Sequence, residues 1–182
     1  ANAFLAVKIS FINEISRLAE TVGANTSDIA YGMGLDARIA PAFLQCGPGY
    51  GGSCFPKDTQ AIVDIAKKNN ESLKIIEAAI EANKLQKLRM IKKIKDNIKN
   101  LNGKTIAVLG LSFKPDTDDM RDAPALDILP ALIKECATIK VYCPQGMNEA
   151  KWRLDKFKDY ITYCDDEYEC CNLSDALVIM TE

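Results

Sequence analysis

Thr105-Ile-Ala-Val-Leu-Gly110 is the stretch on which the fold turns. An unbroken apolar and β-branched run this short, closed by glycine, reads as a strand covered on both faces, the kind found in parallel sheets. Asn102-Gly103 just before it marks a turn, and the hydrophobic period changes there from helical to extended. Downstream, a helical pattern from Ala123 to Cys136 leads to a second strand at Ile139 to Tyr142, which completes one βαβ unit. A third extended element at Tyr160 to Tyr163, a short helix at Tyr168 to Asn172 and a strand at Ala176 to Met180 continue the alternation. Alternating strands and helices predict a doubly wound parallel sheet.

Upstream of the turn the pattern is wholly helical. In Ala1 to Val22 (ANAFLAVKISFINEISRLAETV), Leu5, Ile9, Ile12, Ile15, Leu18 and Val22 recur at steps of three and four, the stripe of an amphipathic helix. Phe4, Val7 and Phe11 widen it to a second apolar face, which predicts burial against both its own domain and a partner subunit. Gly23 supplies a stop, and Asn25-Thr-Ser-Asp28 caps a short helix to Met33. Further helices are expected at Asp58 to Lys68 and Leu73 to Asn100, the latter burying Ile76, Ile80, Leu88, Ile91, Ile94 and Ile98. Its lysines read either as a phosphate-binding face or as a solvated surface, and the solvated surface is favoured. The fold class is therefore α/β: an all-helical segment, residues 1–100, followed by a truncated Rossmann-like parallel βαβ domain, residues 101–182. The chain opens without methionine or a capping residue, and Leu177-Val-Ile-Met-Thr-Glu182 reads as a buried strand that stops short. Both ends read as cut, and the sequence as a fragment.

Composition excludes several classes of function. A chain of 182 residues is long enough for a real core. Its net charge of -2 disfavours nucleic acid as a partner, because phosphate binding calls for a basic excess. Apolar runs fall short of the roughly 20 residues that span a bilayer, and no signal-peptide pattern opens the chain, so a cytoplasmic location is expected. Seven cysteines without framework spacing read as reduced thiols. The absence of histidine and of any C-x-x-C pair argues against a metal site. Cys136 and Cys143 are expected in the core, whereas Cys164, Cys170 and Cys171 suggest no function.

Chemistry concentrates in Gly47-Pro-Gly-Tyr-Gly-Gly-Ser-Cys-Phe-Pro-Lys-Asp58. Between Gly32 and Gly52 lie six glycines and two prolines, a density that reads as a long loop. Its glycines allow close approach to a ligand and free backbone amides to bind it. Cys54, set between this loop and a helix start, sits where the helix terminus favours a thiolate. Lys57 adds positive charge, and Asp58 is a candidate base or water-orienting group in a chain that lacks histidine. The plainer alternative is that Cys54 is one more small buried hydrophobe.

GGSCFPKD resembles the active-site signature of the UDP-glucose/GDP-mannose dehydrogenase family. ANAFLAVKISFINEIS resembles that family's central helix, MGLDARIAPAFLQCGPGYGG its substrate loop, and GLSFKPDTDDMRDAPAL a loop of its C-terminal domain. The resemblance runs in order along essentially the whole chain. It implies an NAD-dependent enzyme that oxidises the C6 alcohol of a nucleotide sugar to a carboxylate through a thiohemiacetal and a thioester on Cys54. Asp58 matches the carboxylate that handles water and protons, and Asn2 the asparagine that stabilises the developing oxyanion. Phe43, Leu44, Tyr50 and Gly51 match positions holding sugar and nucleotide, and Phe113 and Lys114 match positions near diphosphate and sugar. Arg38 matches an arginine given to the neighbouring subunit, which implies a homodimer through the central helix. Lys57 and Arg121 match positions that reach the cofactor. By the same resemblance, residues 1–100 form a dimerisation and active-site domain and residues 101–182 an incomplete UDP-binding domain.

Several features depart from the family pattern. No predicted strand leads into a G-x-G-x-x-G fingerprint, and the family's catalytic lysine and dinucleotide domain would precede Ala1. The fragment is therefore expected to be inactive alone. FPKD after GGSC, and DDMRDAP, look more like the UDP-glucose branch than relatives acting on GDP-mannose or UDP-N-acetylmannosamine. A dimerisation or nucleotide-sugar-binding module is the alternative from another class. A cofactor-free thiol hydrolase is disfavoured by the missing histidine.

Overall fold

The computed structural model describes residues 1–181 and divides into two compact units, one of residues 1–50 and 54–86, the other of residues 51–53 and from 87 onward. The first unit is helical: α1 (Asn2–Val22), α2 (Thr26–Gly34), α3 (Phe55–Lys68) and the first half of α4 (Lys74–Ile98). α1 stops at Gly23, whose φ of 71° a left-handed C-cap requires. α2 is capped by Asn25, whose side chain accepts from the Ser27 amide at 2.8 Å. α3 begins one turn earlier than the hydrophobic pattern implied, because Pro56 is preorganised for a first helical turn.

The buried face of α1 differs from the expected stripe. Ala6, Ser10, Ile12, Asn13, Ser16 and Ala19 face the interior of the unit, while Phe4, Phe11, Leu18 and Val22 are exposed. Ile12 keeps its place in the stripe and Leu5, Ile9 and Ile15 are half-buried, but otherwise small and polar residues face inward, where they let the neighbouring helix and loop come close. α4 shows the same inversion. Its buried residues are Ala79, Asn83 and Gln86, Leu88 is exposed, and Ile91, Ile94 and Ile98 are partly buried against the core of the second unit. Lys87 also departs from the solvated reading: its ammonium donates to the Asp122 carbonyl at 3.2 Å and pairs with Asp127 at 2.6 Å.

The second unit holds β1 (Thr105–Leu109), α5 (Ala125–Lys134), β2 (Thr138–Tyr142), α6 (Met147–Arg153), β3 (Ile161–Tyr163), α7 (Glu167–Cys171) and β4 (Ala176–Ile179). The strands form one sheet in the order β3-β2-β1-β4, and every pairing is parallel, as the alternation of elements predicted. β1 is central because Ile106, Ala107 and Val108 are fully buried. Beneath it lie Ile128, Leu129 and Leu132 of α5, with Ile139 and Val141 of β2. β4 is an edge strand whose Leu177 and Ile179 are exposed, contrary to the buried reading; Glu182, the last residue of that run, lies outside the described residues. Neither α6 nor the 3-10 turn Asp155–Tyr160 was foreseen, since neither carries a periodic apolar pattern. Cys143, Cys164 and Cys170 are buried, but Cys136 is exposed with a φ of 63°, because it turns the chain out of α5.

Leu132→Ala should lower the unfolding free energy by roughly 2–5 kcal/mol, since the residue is fully enclosed and its neighbours can relax only partly into the space it leaves. Urea unfolding beside the surface variant Lys134→Ala checks this, and equal midpoints for the two variants would contradict the packing described.

Candidate active site

In the first unit the chemistry assembles around the start of α3. Cys54 is its N-cap residue, exposed and not in a disulfide. Asp58 lies in the first turn, and its Oδ2 accepts a hydrogen bond of 2.6 Å from Nδ2 of Asn2, in the first turn of α1. Lys57 Nζ stands 3.6 Å from the same carboxylate. The Asn2 hydrogen bond is the main reason the Asp58 carboxyl sits below its ordinary range; slight burial opposes it and Lys57 adds to it. Asp58 is thus ionised at neutral pH, a weak base suited to orienting water.

The loop from Leu35 to Ser53 is held by side chains from α1 and α4. Lys8 Nζ donates to the carbonyls of Ile39, Ala40 and Ala42 at 2.9, 3.2 and 2.6 Å. Ala40 and Phe43 adopt φ of 60° and 65°, rare for residues with a side chain, and the lysine braces that turn. Phe43 is exposed and lies 5.8 Å from the Phe55 ring, while Leu44 and Tyr50 are buried. Tyr50 meets Phe55 edge-on at 6.0 Å; burial pushes its phenol up, with a hydrogen bond to Thr59 acting the other way. Arg38 is exposed and forks onto Asp36, donating at 3.0 Å from Nε and 2.6 Å from Nη2. Lys8, Asn13, Asn83 and Gln86 were not anticipated; their only sequence signal is polar residues at helical spacing among apolar ones.

In the second unit Gly51 packs against Asp122, and a Cβ there would lie 2.4 Å from the Asp122 carbonyl oxygen, so only glycine fits. Gly52, with φ +83°, lies against the ring of Phe113, and its amide donates to the Arg121 carbonyl at 2.6 Å. Lys114 Nζ is 5.5 Å from the Phe113 ring centre. Arg121 forks onto Asp119 at 2.9 and 2.8 Å. A crevice of about 460 Å³ opens at the carboxyl ends of β1, β2 and β4, lined by Ser112, Lys114, Cys143 and Thr181 among others. Ligands of doubly wound sheets bind at such a position. Burial alone would push the Cys143 thiol up, but hydrogen bonds from Ser112 and the amides of Leu111, Ser112 and Gly146 hold it below its usual value.

The crevice does not fit a dinucleotide. β1 leads into Gly110-Leu-Ser-Phe-Lys114 rather than a glycine fingerprint, and the residue that follows β2, Cys143, is a thiol and not the carboxylate that takes ribose hydroxyls. Among the described residues, Lys57 and Arg121 are the cations placed by resemblance toward NAD, and neither builds a cofactor pocket. No group of metal-ligating side chains assembles among the described residues, and no helix there is long and apolar enough to cross a membrane.

Residues 1–85 match the model of the UDP-glucose/GDP-mannose dehydrogenase family, central domain, and residues 107–182 that of its UDP binding domain. The chain belongs to the UDP-glucose/GDP-mannose dehydrogenase family. It is 48% identical over its whole length to UDP-glucose 6-dehydrogenase TuaD of Bacillus subtilis (strain 168), and 47% to UDP-glucose 6-dehydrogenase of Rhizobium meliloti (strain 1021). It spans 39% and 41% of the length of those relatives. Among solved structures, a UDP-glucose dehydrogenase from the hyperthermophilic archaeon Pyrobaculum islandicum matches with a TM-score of 0.93 and 33% identity, over 99% of this chain and 41% of that one.

Removing the Asn2 donor should let Asp58 titrate closer to its ordinary value of 3.8. A depressed carboxylate contributes stability that is fully present above its unfolded pKa and fades as pH falls through the lowered one. Carbon-13 NMR titration of Asn2→Ala should show the Asp58 midpoint rising; an unchanged midpoint would contradict the role given to the hydrogen bond.

Proposed function

We propose that this chain is the substrate-handling part of an NAD-dependent UDP-glucose 6-dehydrogenase, which oxidises UDP-glucose to UDP-glucuronate. The observation that carries the reading is the 2.6 Å hydrogen bond joining Asn2 to Asp58, one turn of α3 beyond Cys54. A nucleophilic thiol, a carboxylate for water and an amide donor for an oxyanion are the parts that carbonyl oxidation through a covalent intermediate needs. NAD is the hydride acceptor in this reading, held by parts of the parent protein outside these residues and approached from this chain by Lys57 and Arg121.

The chain's own residues act at the sugar's C6. NAD would supply the oxidation twice, taking one hydride from the C6 alcohol to leave the aldehyde and a second from the thiohemiacetal to leave the thioester. Between the two, Cys54 sulfur, as a thiolate, bonds to the aldehyde carbon, and the oxygen that gains charge is met by the Asn2 amide, whose nitrogen carries a second hydrogen beyond the one given to Asp58. Covalent capture keeps a reactive aldehyde from escaping. At the thioester, Asp58 orients the water whose oxygen forms the carboxylate as the carbon–sulfur bond breaks. Phe43, Leu44, Tyr50 and Gly51 form the substrate loop, Phe113 and Lys114 approach the diphosphate and sugar, and the crevice beside Lys114 accommodates part of the nucleotide sugar. The exposed apolar line Phe4, Phe11 and Leu18 on α1 supports a homodimer through this helix, with Arg38 offered to the partner's site. The isolated chain is not expected to turn over.

Cys54→Ala and Cys54→Ser in the parent protein, assayed for NADH formation with UDP-glucose and with GDP-mannose, test the reading. Loss of at least a thousandfold in kcat is expected in both variants, with wild-type activity confined to UDP-glucose. Retained turnover in the variants would refute covalent catalysis, and wild-type preference for GDP-mannose would refute the substrate assignment.

A further inference from the structure

We infer that Asn83 and Gln86 of α4 and Asn13 of α1 form a clamp that positions the catalytic loop, acting on Cys54 through Tyr50. The clamp rests on backbone hydrogen bonds that the loop cannot make for itself. The Tyr50 amide donates to Asn83 Oδ1 at 2.7 Å, and Asn83 Nδ2 returns a bond of 3.0 Å to the Tyr50 carbonyl. One side-chain amide thus pairs with both polar groups of one loop residue, as a neighbouring strand would. Gly47 is held in the same way by two helices: its amide donates to Asn13 Oδ1 at 2.9 Å, and its carbonyl accepts from Gln86 Nε2 at 2.7 Å.

Burial makes these bonds consequential. Asn13, Asn83 and Gln86 are 2%, 8% and 5% exposed, so a lost partner leaves a polar group out of reach of water. Asn83 and Gln86 stand at i and i+3 on one face of α4, and Ser10 on α1 donates to the Ala79 carbonyl at 3.0 Å, which fixes the two helices beside the loop they hold. Asn13 is oriented by the Gly47 amide, which dictates that its oxygen faces the loop.

The route from clamp to chemistry is short. Tyr50, pinned by Asn83, lays its ring against Phe55 and bonds through its hydroxyl to Thr59, both in the first turns of α3. Phe55 follows Cys54 directly. The clamp therefore sets where the α3 N-terminus begins relative to the loop, and with it the placement of the thiol. Asn13, Asn83 and Gln86 are positioning residues, and their effect on catalysis rests on the Cys54 mechanism proposed above.

Asn83→Ala and Asn83→Asp in the parent protein test the clamp by two independent readouts. Hydrogen exchange reads it directly: the peptide spanning residues 47–50 should exchange at least tenfold faster in Asn83→Ala while the rest of α4 keeps its protection. Kinetics read the consequence: kcat with UDP-glucose should fall at least tenfold in Asn83→Ala with KM for NAD unchanged. Asn83→Asp, which keeps the acceptor for the Tyr50 amide, should lie between. Unchanged exchange at 47–50 would overturn the clamp. Faster exchange with kcat within twofold of wild type would reduce these residues to a structural role and overturn the positioning claim. If Cys54→Ala kept activity, the exchange result would stand and only the catalytic reading would fall.

Discussion

A loop that carries chemistry has no ladder of its own, yet its backbone N–H and C=O groups must be satisfied where water is excluded. In this protein that constraint is met by side-chain amides. Gly47 and Tyr50 take their partners from Asn13, Asn83 and Gln86, while the exposed turn at Ile39 to Ala42 is braced by the Lys8 ammonium. The inner faces of α1 and α4 are polar for this reason. A helix packed only with leucine and isoleucine would bury more apolar surface, but it would leave the loop's backbone groups unpaired at about 1–3 kcal/mol each. Phe4, Phe11, Leu18 and Val22 of α1 are accordingly left on its outer face, and Ile12 is its one large apolar residue that is fully buried.

The same economy governs the start of α3. Cys54 caps the helix, Asp58 completes its first turn, and Asn2 reaches the carboxylate from a separate helix. An amide donor makes the carboxylate easier to ionise without neutralising it, as a lysine in the same place would tend to do. The second unit solves a different problem. Its parallel sheet ends in a crevice at the carboxyl edge of β1, β2 and β4, where Lys114 supplies positive charge and Ser112 and Cys143 make up part of the wall.

Much of the fold is legible in the sequence because its strands are short apolar runs bounded by turns, and β1, β2, β3 and β4 stand where those runs predict them. Helix positions other than α6 and the 3-10 turn are equally plain, but helix faces are not. Periodicity in α1 selects Leu18 and Val22, and these are exposed, because the stripe of greatest hydrophobicity is not the stripe that faces its own unit. Of the site, Cys54 and Asp58 can be read from a glycine-rich loop followed by a helix start. Asn2 is distant in sequence from Asp58, and only the resemblance pointed to it. The clamp was invisible: an asparagine and a glutamine on a lysine-rich helix look solvated until the loop that buries them is in place.

The central claim is that Cys54 holds the sugar covalently. Acid-quenched mass spectrometry of the parent protein carrying Asp58→Asn, during turnover of UDP-glucose with NAD, tests it most directly. Slowed hydrolysis should accumulate an acyl adduct with the mass of UDP-glucuronyl on the peptide that contains Cys54. An adduct on another residue, or none while the same preparation still forms NADH beyond one turnover, would contradict it.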